Sequence, residues 1–240
     1  ARLIRTLKQK APIENGVHKM YWSMDEKGVS RPSRSLRSSN REPGGVSVKP
    51  GTYRLKMSFG DQTVEQNIKV ELDPRMNFSM ADINNRYAFA KQLEDYTATI
   101  AQVVKQLVES KTTAEDYAKE LTENDAKKFK EEIKASKEIV KKLDDLISKY
   151  LGTIDRRQGI TRTPEVTVTN RLGRVNSVLR SRNEKITKTE NELMTNFKVA
   201  FKDVLTKTNS FFDSDWKNYR SQLEKVNVAR FKETKKFSTN

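Results

Sequence analysis

Cysteine is absent from the 240 residues, and histidine occurs once. The first absence excludes disulfides and thiolate metal ligation, although it fixes no compartment. The second leaves only His18, inside an alternating stretch. A Ser-His-Asp or Cys-His arrangement therefore lacks a placed imidazole, and zinc lacks most of its usual ligands. The nine glycines are scattered, so no Gly-rich phosphate loop can be drawn. Asp213 and Asp215 in "DSDW" lack the further ligands and the glycine of a calcium loop. They read instead as a helix start, with Asp213 capping. Asp144-Asp145 lies on a Lys-rich stretch and reads as solvated. No catalytic residue, cofactor or metal is implied. No run approaches the ~20 apolar residues that span a bilayer, so no membrane span is expected. The chain carries no secretory signal and opens on "ARLIRTL" without Met, which reads as a fragment or a processed product.

Positive charge is abundant: 47 Lys and Arg stand against 32 Asp and Glu, a net +15. Two segments hold most of the excess, 1–41 with ten basic and three acidic residues and 155–188 with nine and three. A basic patch attracts nucleic acid, anionic lipid or an acidic partner, but it serves equally as a solvated surface. Arg156, Arg157, Arg162, Arg171, Arg174, Arg180 and Arg182 form an Arg-rich stretch suited to bidentate anion contact. No aromatic residue interleaves with them, which leaves bases nothing to stack on, and no nucleic-acid-binding module is recognisable. These arginines are candidate contacts for an anionic partner, with nucleic acid disfavoured. Arg171, Arg174 and Arg182 are expected on one helix face.

The first third alternates as strands do. "ARLIRTL" is a short strand candidate. "GVHKMYWSM" places His18, Met20 and Trp22 on one face, with Trp22 as core anchor. Residues 25–48 are rich in Ser, Arg, Pro and Gly and read as a long basic loop. "PGTYRLKMSF" then alternates Tyr53, Leu55, Met57 and Phe59 with polar residues. Gly60-Asp61 turns the chain, and "QTVEQNIKVEL" returns with Val64, Gln66, Ile68, Val70 and Leu72 on one face, a hairpin. The expected domain is an antiparallel β-sandwich over 1–76, with Tyr53 to Phe59 facing a core shared with Trp22.

Asp73-Pro74 stops the last strand. Ser79 and Asp82 form a capping-box pair, and Phe78 and Ile83 a hydrophobic staple. Ile83, Tyr87, Ala90, Leu93, Tyr96, Ile100, Val103 and Leu107 then recur at helical steps. Thr113 and Asp116 repeat the cap pattern and offer a place to interrupt. Phe129, Ile133, Ser136, Val140, Leu143, Ile147 and Tyr150 are spaced alternately four and three, and Gly152 follows as a stop. That repeat predicts antiparallel packing on the preceding helix through a short connection. Val168, Leu172, Val175 and Leu179 mark a third helix, with Pro164 at its start. Glu190, Leu193, Phe197, Phe201 and Val204 mark a fourth. "NSFFDSDW" reads as a bend before a last helix carrying Trp216, Tyr219, Leu223 and Val226. Helices are thus expected at about 79–121, 125–151, 165–181, 187–208 and 213–227. They form an antiparallel helical bundle over 77–230, with a basic tail at 231–240. The fold class is α+β in two domains.

"IRTL", "GVHKMYWSMDEKG" and "KPGTYRLKM", in that order, resemble the immunoglobulin-like or fibronectin-like module related to the flagellar hook-capping protein. The basic insert at 30–41 departs from its short loop. Followed by "VELDPRM", "QGITRTPEVTVTNRLGRVNSVLRS" and "NSFFDSDWKNYRSQLE", the series is similar to the C-terminal region of large exported bacterial proteins. These are described as sortilin-like, or as glycosyl-hydrolase-like proteins with BNR/Asp-box repeats. The likeness covers nearly the whole chain. It implies an upstream β-propeller in the same chain, export to the periplasm or cell surface, and a non-catalytic scaffold role with a protein partner at the cell envelope. No Asp-box, S-x-D-x-G-x-T-W, occurs here, so any glycoside hydrolase site would lie upstream and this segment would be its accessory. Binding of nucleic acid or an anionic surface through 156–182 is a third reading.

Overall fold

The computed structural model describes residues 2–10, 12–37, 42–75, 79–154, 166–182 and 185–226. Its strands are β1 (Asp25–Lys27), β2 (Gly44–Ser47), β3 (Gly51–Phe59) and β4 (Gln62–Val70). Its helices are α1 (Met80–Asp125), α2 (Lys130–Leu151), α3 (Val168–Ser181), α4 (Lys188–Phe211), a π-helical segment (Phe212–Trp216) and α5 (Lys217–Leu223).

Among the described residues the expected immunoglobulin/fibronectin-like sandwich does not form. The strands form two separate two-stranded antiparallel sheets, β1–β2 and β3–β4, and helices dominate. The architecture is therefore not a β-sandwich followed by a helical bundle. "GVHKMYWSM" forms no strand, and Val17 and Tyr21 are 96% and 81% exposed. Alternation tells which side chains could share a face, but a strand also needs a neighbour for its backbone groups. Here β1 and β2 take that pairing, and both come from the stretch that reads as a loop. Asp25 pairs with Ser47 and Lys27 with Gly44. Gly28 makes the pairing close, since a Cβ there would lie 2.4 Å from the Gly44 carbonyl oxygen. "ARLIRTL" contributes one backbone bond, from Lys27 N to Ile4 O at 2.9 Å.

The chain divides into two compact units, each assembled from separated stretches. The first comprises Ala1–Ser33, Arg37–Gln102 and Thr169–Phe197. Its helical core takes Leu93 and Ile100 from α1, Leu172, Val175 and Leu179 from α3, and Met194 and Phe197 from α4. Tyr96 meets the Phe197 ring edge-on at 5.0 Å. Ser79 caps α1 by accepting from Asp82 N at 3.1 Å. Asp82 reaches only the Ser79 hydroxyl, at 2.5 Å, where the longer Glu of a full capping box would reach the backbone N–H. Phe78, the other half of the expected staple, lies outside the described residues.

The second unit comprises Arg34–Leu36, Val103–Val168 and Lys198–Asn240. In it the later half of α1 and α2 run antiparallel. Leu121 clusters with Phe129 and Ile133 near the turn, and Lys111 Nζ reaches Asp144 at 2.8 Å further along. Asp125 fixes the connection by accepting from Lys127 N and Lys128 N, each at 3.0 Å. α1 is uninterrupted at 112–116 because Thr112 and Thr113 bond back to the carbonyls of Val108 and Glu109, so the hydroxyls do not cap a new helix. Tyr150 meets Thr208 at 3.0 Å, and Ser136 meets Tyr219 at 2.9 Å, both in the interior.

"NSFFDSDW" is not a bend. α4 passes through the π-helical segment into α5 without leaving helical conformation. Phe211 and Tyr219 are both buried. Eight residues of α-helix would leave them about 80° apart around the axis. A π turn absorbs one extra residue, which brings the two nearly into line. Asp213 is exposed and makes no side-chain cap bond.

Candidate interaction surface

β3 and β4 are paired along nine residues each, with Gly60 supplying the positive φ of 56° that the two-residue turn demands. The register sets Tyr53 opposite Ile68, Leu55 opposite Gln66, Met57 opposite Val64 and Phe59 opposite Gln62. Directly opposed residues share a face, so the apolar side chains gather on one side of the ribbon. The other side carries Arg54, Lys56 and Ser58 against Asn67, Glu65 and Thr63. That side is satisfied internally: Glu65 lies 3.5 Å from Arg54 and 3.9 Å from Lys56, and Ser58 bonds Thr63 at 3.0 Å.

Among the described residues the apolar face has no such cover. Leu55, Met57, Phe59 and Val64 are 48%, 57%, 64% and 63% exposed, and exposure on β3 rises towards the turn. The expected core shared with Trp22 does not form over these side chains. Trp22 instead holds only the root, meeting the Tyr53 ring edge-on at 5.7 Å and donating Nε1–H to Asp25 O at 2.9 Å. The root is fixed further where Tyr53 donates to Lys49 O at 2.6 Å, and Lys49 reaches Asn84 of α1 at 3.1 Å. Contiguous exposed apolar surface of this kind is one of the features found at interaction sites.

A buried carboxylate anchors the neighbouring sheet to the same helix. Glu26 of β1 accepts from Tyr87 at 2.6 Å and from Arg2 at 2.9 Å, with Lys91 at 3.7 Å. Burial alone would raise its pKa. The Tyr87 and Arg2 hydrogen bonds, helped by the Arg2 and Lys91 charges, outweigh that and hold it below the ordinary value. Tyr87 is pushed up by its own burial and by the bond to Glu26. Arg5 pairs with Asp25, so residues 2–6 are held to β1 by charge as well as by backbone.

Four of the seven arginine candidates, Arg171, Arg174, Arg180 and Arg182, fall among the described residues. Arg156, Arg157 and Arg162 lie outside the described residues. Arg171, Arg174 and Arg180 are exposed on α3, but Arg180 sits roughly half a turn around from Arg171. Past the end of α3, Arg182 donates to Glu190 at 2.7 Å, and its carbonyl accepts from Arg86 at 2.7 Å. Glu190, expected only as a helix-face residue, is a buried capping residue of α4. It accepts from Thr187 N at 3.1 Å and from the Thr187 hydroxyl. Burial would raise this carboxyl too, but its bonds from Thr187 and Arg182 lower it. Thr187-Lys-Thr-Glu190 reads as T-x-x-E, a signal that sequence reasoning could have used. Glu26 had no comparable local signal.

His18 is exposed, with Nε2 2.9 Å from Glu14 O. A shallow, open depression of about 690 Å³ runs along the start of α4 past Thr187, Asn191 and Thr195, with no nucleophile–base pair in its lining. Among the described residues no group of His, Asp and Glu side chains is gathered that could hold a metal ion, and no helix is long and apolar enough to cross a membrane. No protein-family model, no curated protein and no solved structure matches the chain.

Proposed function

We propose that this chain is a non-catalytic interaction segment of a larger exported protein, and that it works by docking a protein surface on the apolar face of β3–β4. The observation that carries the reading is the ladder of Leu55, Met57, Phe59 and Val64, open on one side of a ribbon whose other side is polar and internally paired. A two-stranded ribbon is marginal by itself, and covering that face would stabilise it while excluding water from four large side chains. The resemblance of "KPGTY" and "DPR" to the tails of propeller-bearing exported proteins supports a β-propeller of the same chain, or a protein at the cell envelope, as the occupant.

A photo-crosslinking amino acid placed at Met57 of the full-length protein tests this, with Ser58 as the opposite-face control. A discrete crosslink from Met57, either to a separate protein or within the same chain, and none from Ser58 is expected. Equal yields at the two positions would overturn the reading. If the crosslink falls on a propeller and glycan turnover also changes in a Met57→Ser, Phe59→Ser variant, the segment is an accessory of a hydrolase rather than a scaffold.

A further inference from the structure

The two edges of the β3–β4 ribbon differ in what they would accept. In a two-residue hairpin the pair flanking the turn exchanges hydrogen bonds, and such pairs alternate along the ladder. Phe59–Gln62, Met57–Val64, Leu55–Gln66 and Tyr53–Ile68 are therefore the bonded pairs. The N–H and C=O groups of Thr63, Glu65, Asn67 and Lys69 point outward from β4, as those of Arg54 and Lys56 do from β3. No described residue pairs with either edge.

Backbone geometry limits how two copies could join edge to edge antiparallel. Residues opposed across the joint must share a face, so the two-fold axis must pass through a residue and not between residues. On β3, centring on Arg54, Leu55 or Lys56 sets basic side chains against basic ones, which opposes pairing. On β4, centring on Glu65, Ile68 or Lys69 also opposes like charges: Glu65 to Glu65, Glu65 to Glu71, or Lys69 to Lys69. Centring on Gln66 gives Glu65 an uncharged partner. Only centring on Asn67 sets Glu65 opposite Lys69 twice, with Asn67 opposite its own copy. Val64 then faces Val70, and Gln66 faces Ile68, on the apolar side.

We propose that β4 is a self-recognition edge. Two copies of this chain pair through residues 64–70 about Asn67, forming a four-stranded sheet β3-β4-β4-β3 with two symmetry-related Glu65–Lys69 ion pairs. In the single chain Glu65 already neighbours Arg54 and Lys56, and Lys69 bonds Glu71 at 2.5 Å. The joint thus extends an alternating charge network. The two apolar faces become one, about twice as wide. This inference does not rest on the identity of whatever docks there.

Sedimentation velocity of the 240-residue chain across a concentration series tests it. A monomer–dimer equilibrium is expected. Glu65→Lys and Lys69→Glu should each weaken it about tenfold, since attraction becomes repulsion at both symmetric pairs. The informative step is to mix these two single variants. One copy then carries lysine at both positions and the other carries glutamate at both. Every pair across the joint is again attractive, so a heterodimer should form at concentrations where each variant alone is monomeric. Asn67→Pro should abolish dimerisation with the hairpin kept, because that N–H serves no bond within the ribbon. A chain monomeric at every concentration overturns the proposal. So does a dimer that is indifferent to Asn67→Pro, or variants whose mixture associates no better than they do separately.

Discussion

Tyr87 of α1 donates its phenolic hydrogen to Glu26 of β1 at 2.6 Å, and that bond ties a three-residue strand to the long helix of the first unit. Removing only the hydroxyl, by Tyr87→Phe, leaves a buried carboxylate with one hydrogen bond fewer. Urea unfolding should show a loss of about 1–3 kcal/mol, the range for a buried charged acceptor.

Acid should loosen the first unit through two carboxylates. Glu26 and Glu190 are both held below their ordinary value of 4.5. A carboxyl whose folded-state pKa is lowered binds protons more readily when unfolded. Its stabilisation is therefore full above about pH 4.5 and drains away as pH falls through the lower folded-state values. Urea midpoints taken between about pH 7 and pH 3 should fall over that range. Glu190→Gln should flatten the slope, whatever its effect at neutral pH.

The cap of α4 offers a graded pair of variants. Thr187→Ala removes one side-chain partner of Glu190 and should cost about 1 kcal/mol. Glu190→Ala strips the acceptor from Thr187 N and from the Arg182 guanidinium together, so about 2–3 kcal/mol is expected. Equal costs in chemical denaturation would show that the Arg182 bond contributes nothing.

Interior positions should separate by chemistry. Phe197, fully buried against Tyr96, should cost about 3–5 kcal/mol when cut to Ala. Tyr219→Phe should cost only about 1 kcal/mol, since Ser136 keeps its bond to Glu132 O at 2.9 Å. Thermal melts of the two variants should rank in that order.

The hairpin tip should behave in the opposite way to a core. Met57→Ser with Phe59→Ser should leave unfolding free energy within about 0.5 kcal/mol per site. The same double variant should lower binding of a hydrophobic dye to the native chain. A large loss of stability would mean these side chains are covered.

Helix content is legible where periodicity is sustained. Val168, Leu172, Val175 and Leu179, expected inward, are all buried. Elsewhere the stripe slips by one residue, with Val104, Ile139 and Met194 buried in place of the expected Val103, Val140 and Leu193. A strict alternation of threes and fours has a 3.5-residue period, and a 3.6-residue helix drifts against it. The strands are less legible because alternation reports a two-faced segment and not what lies against it. Tyr53 to Phe59 carry the same pattern whether they line a core or face water. Glu26 and Glu190 owe their burial to residues that arrive from other elements, Tyr87 in one case and the end of α3 in the other, and composition gives no sign of them. The arginines are near one another in sequence, but Arg182 is spent on a helix cap.

The π-helical stretch at Phe212–Trp216 makes the chain tolerant of a change in its own length. Because that turn already holds one residue more than an α turn, losing any one of those five would convert it to ordinary helix. Phe211 and the residues from Tyr219 onward would keep the same orientation towards the interior. A deletion that would rotate every later side chain elsewhere along α4 is absorbed at this place, which makes it the natural slot for a difference in chain length between versions of this protein.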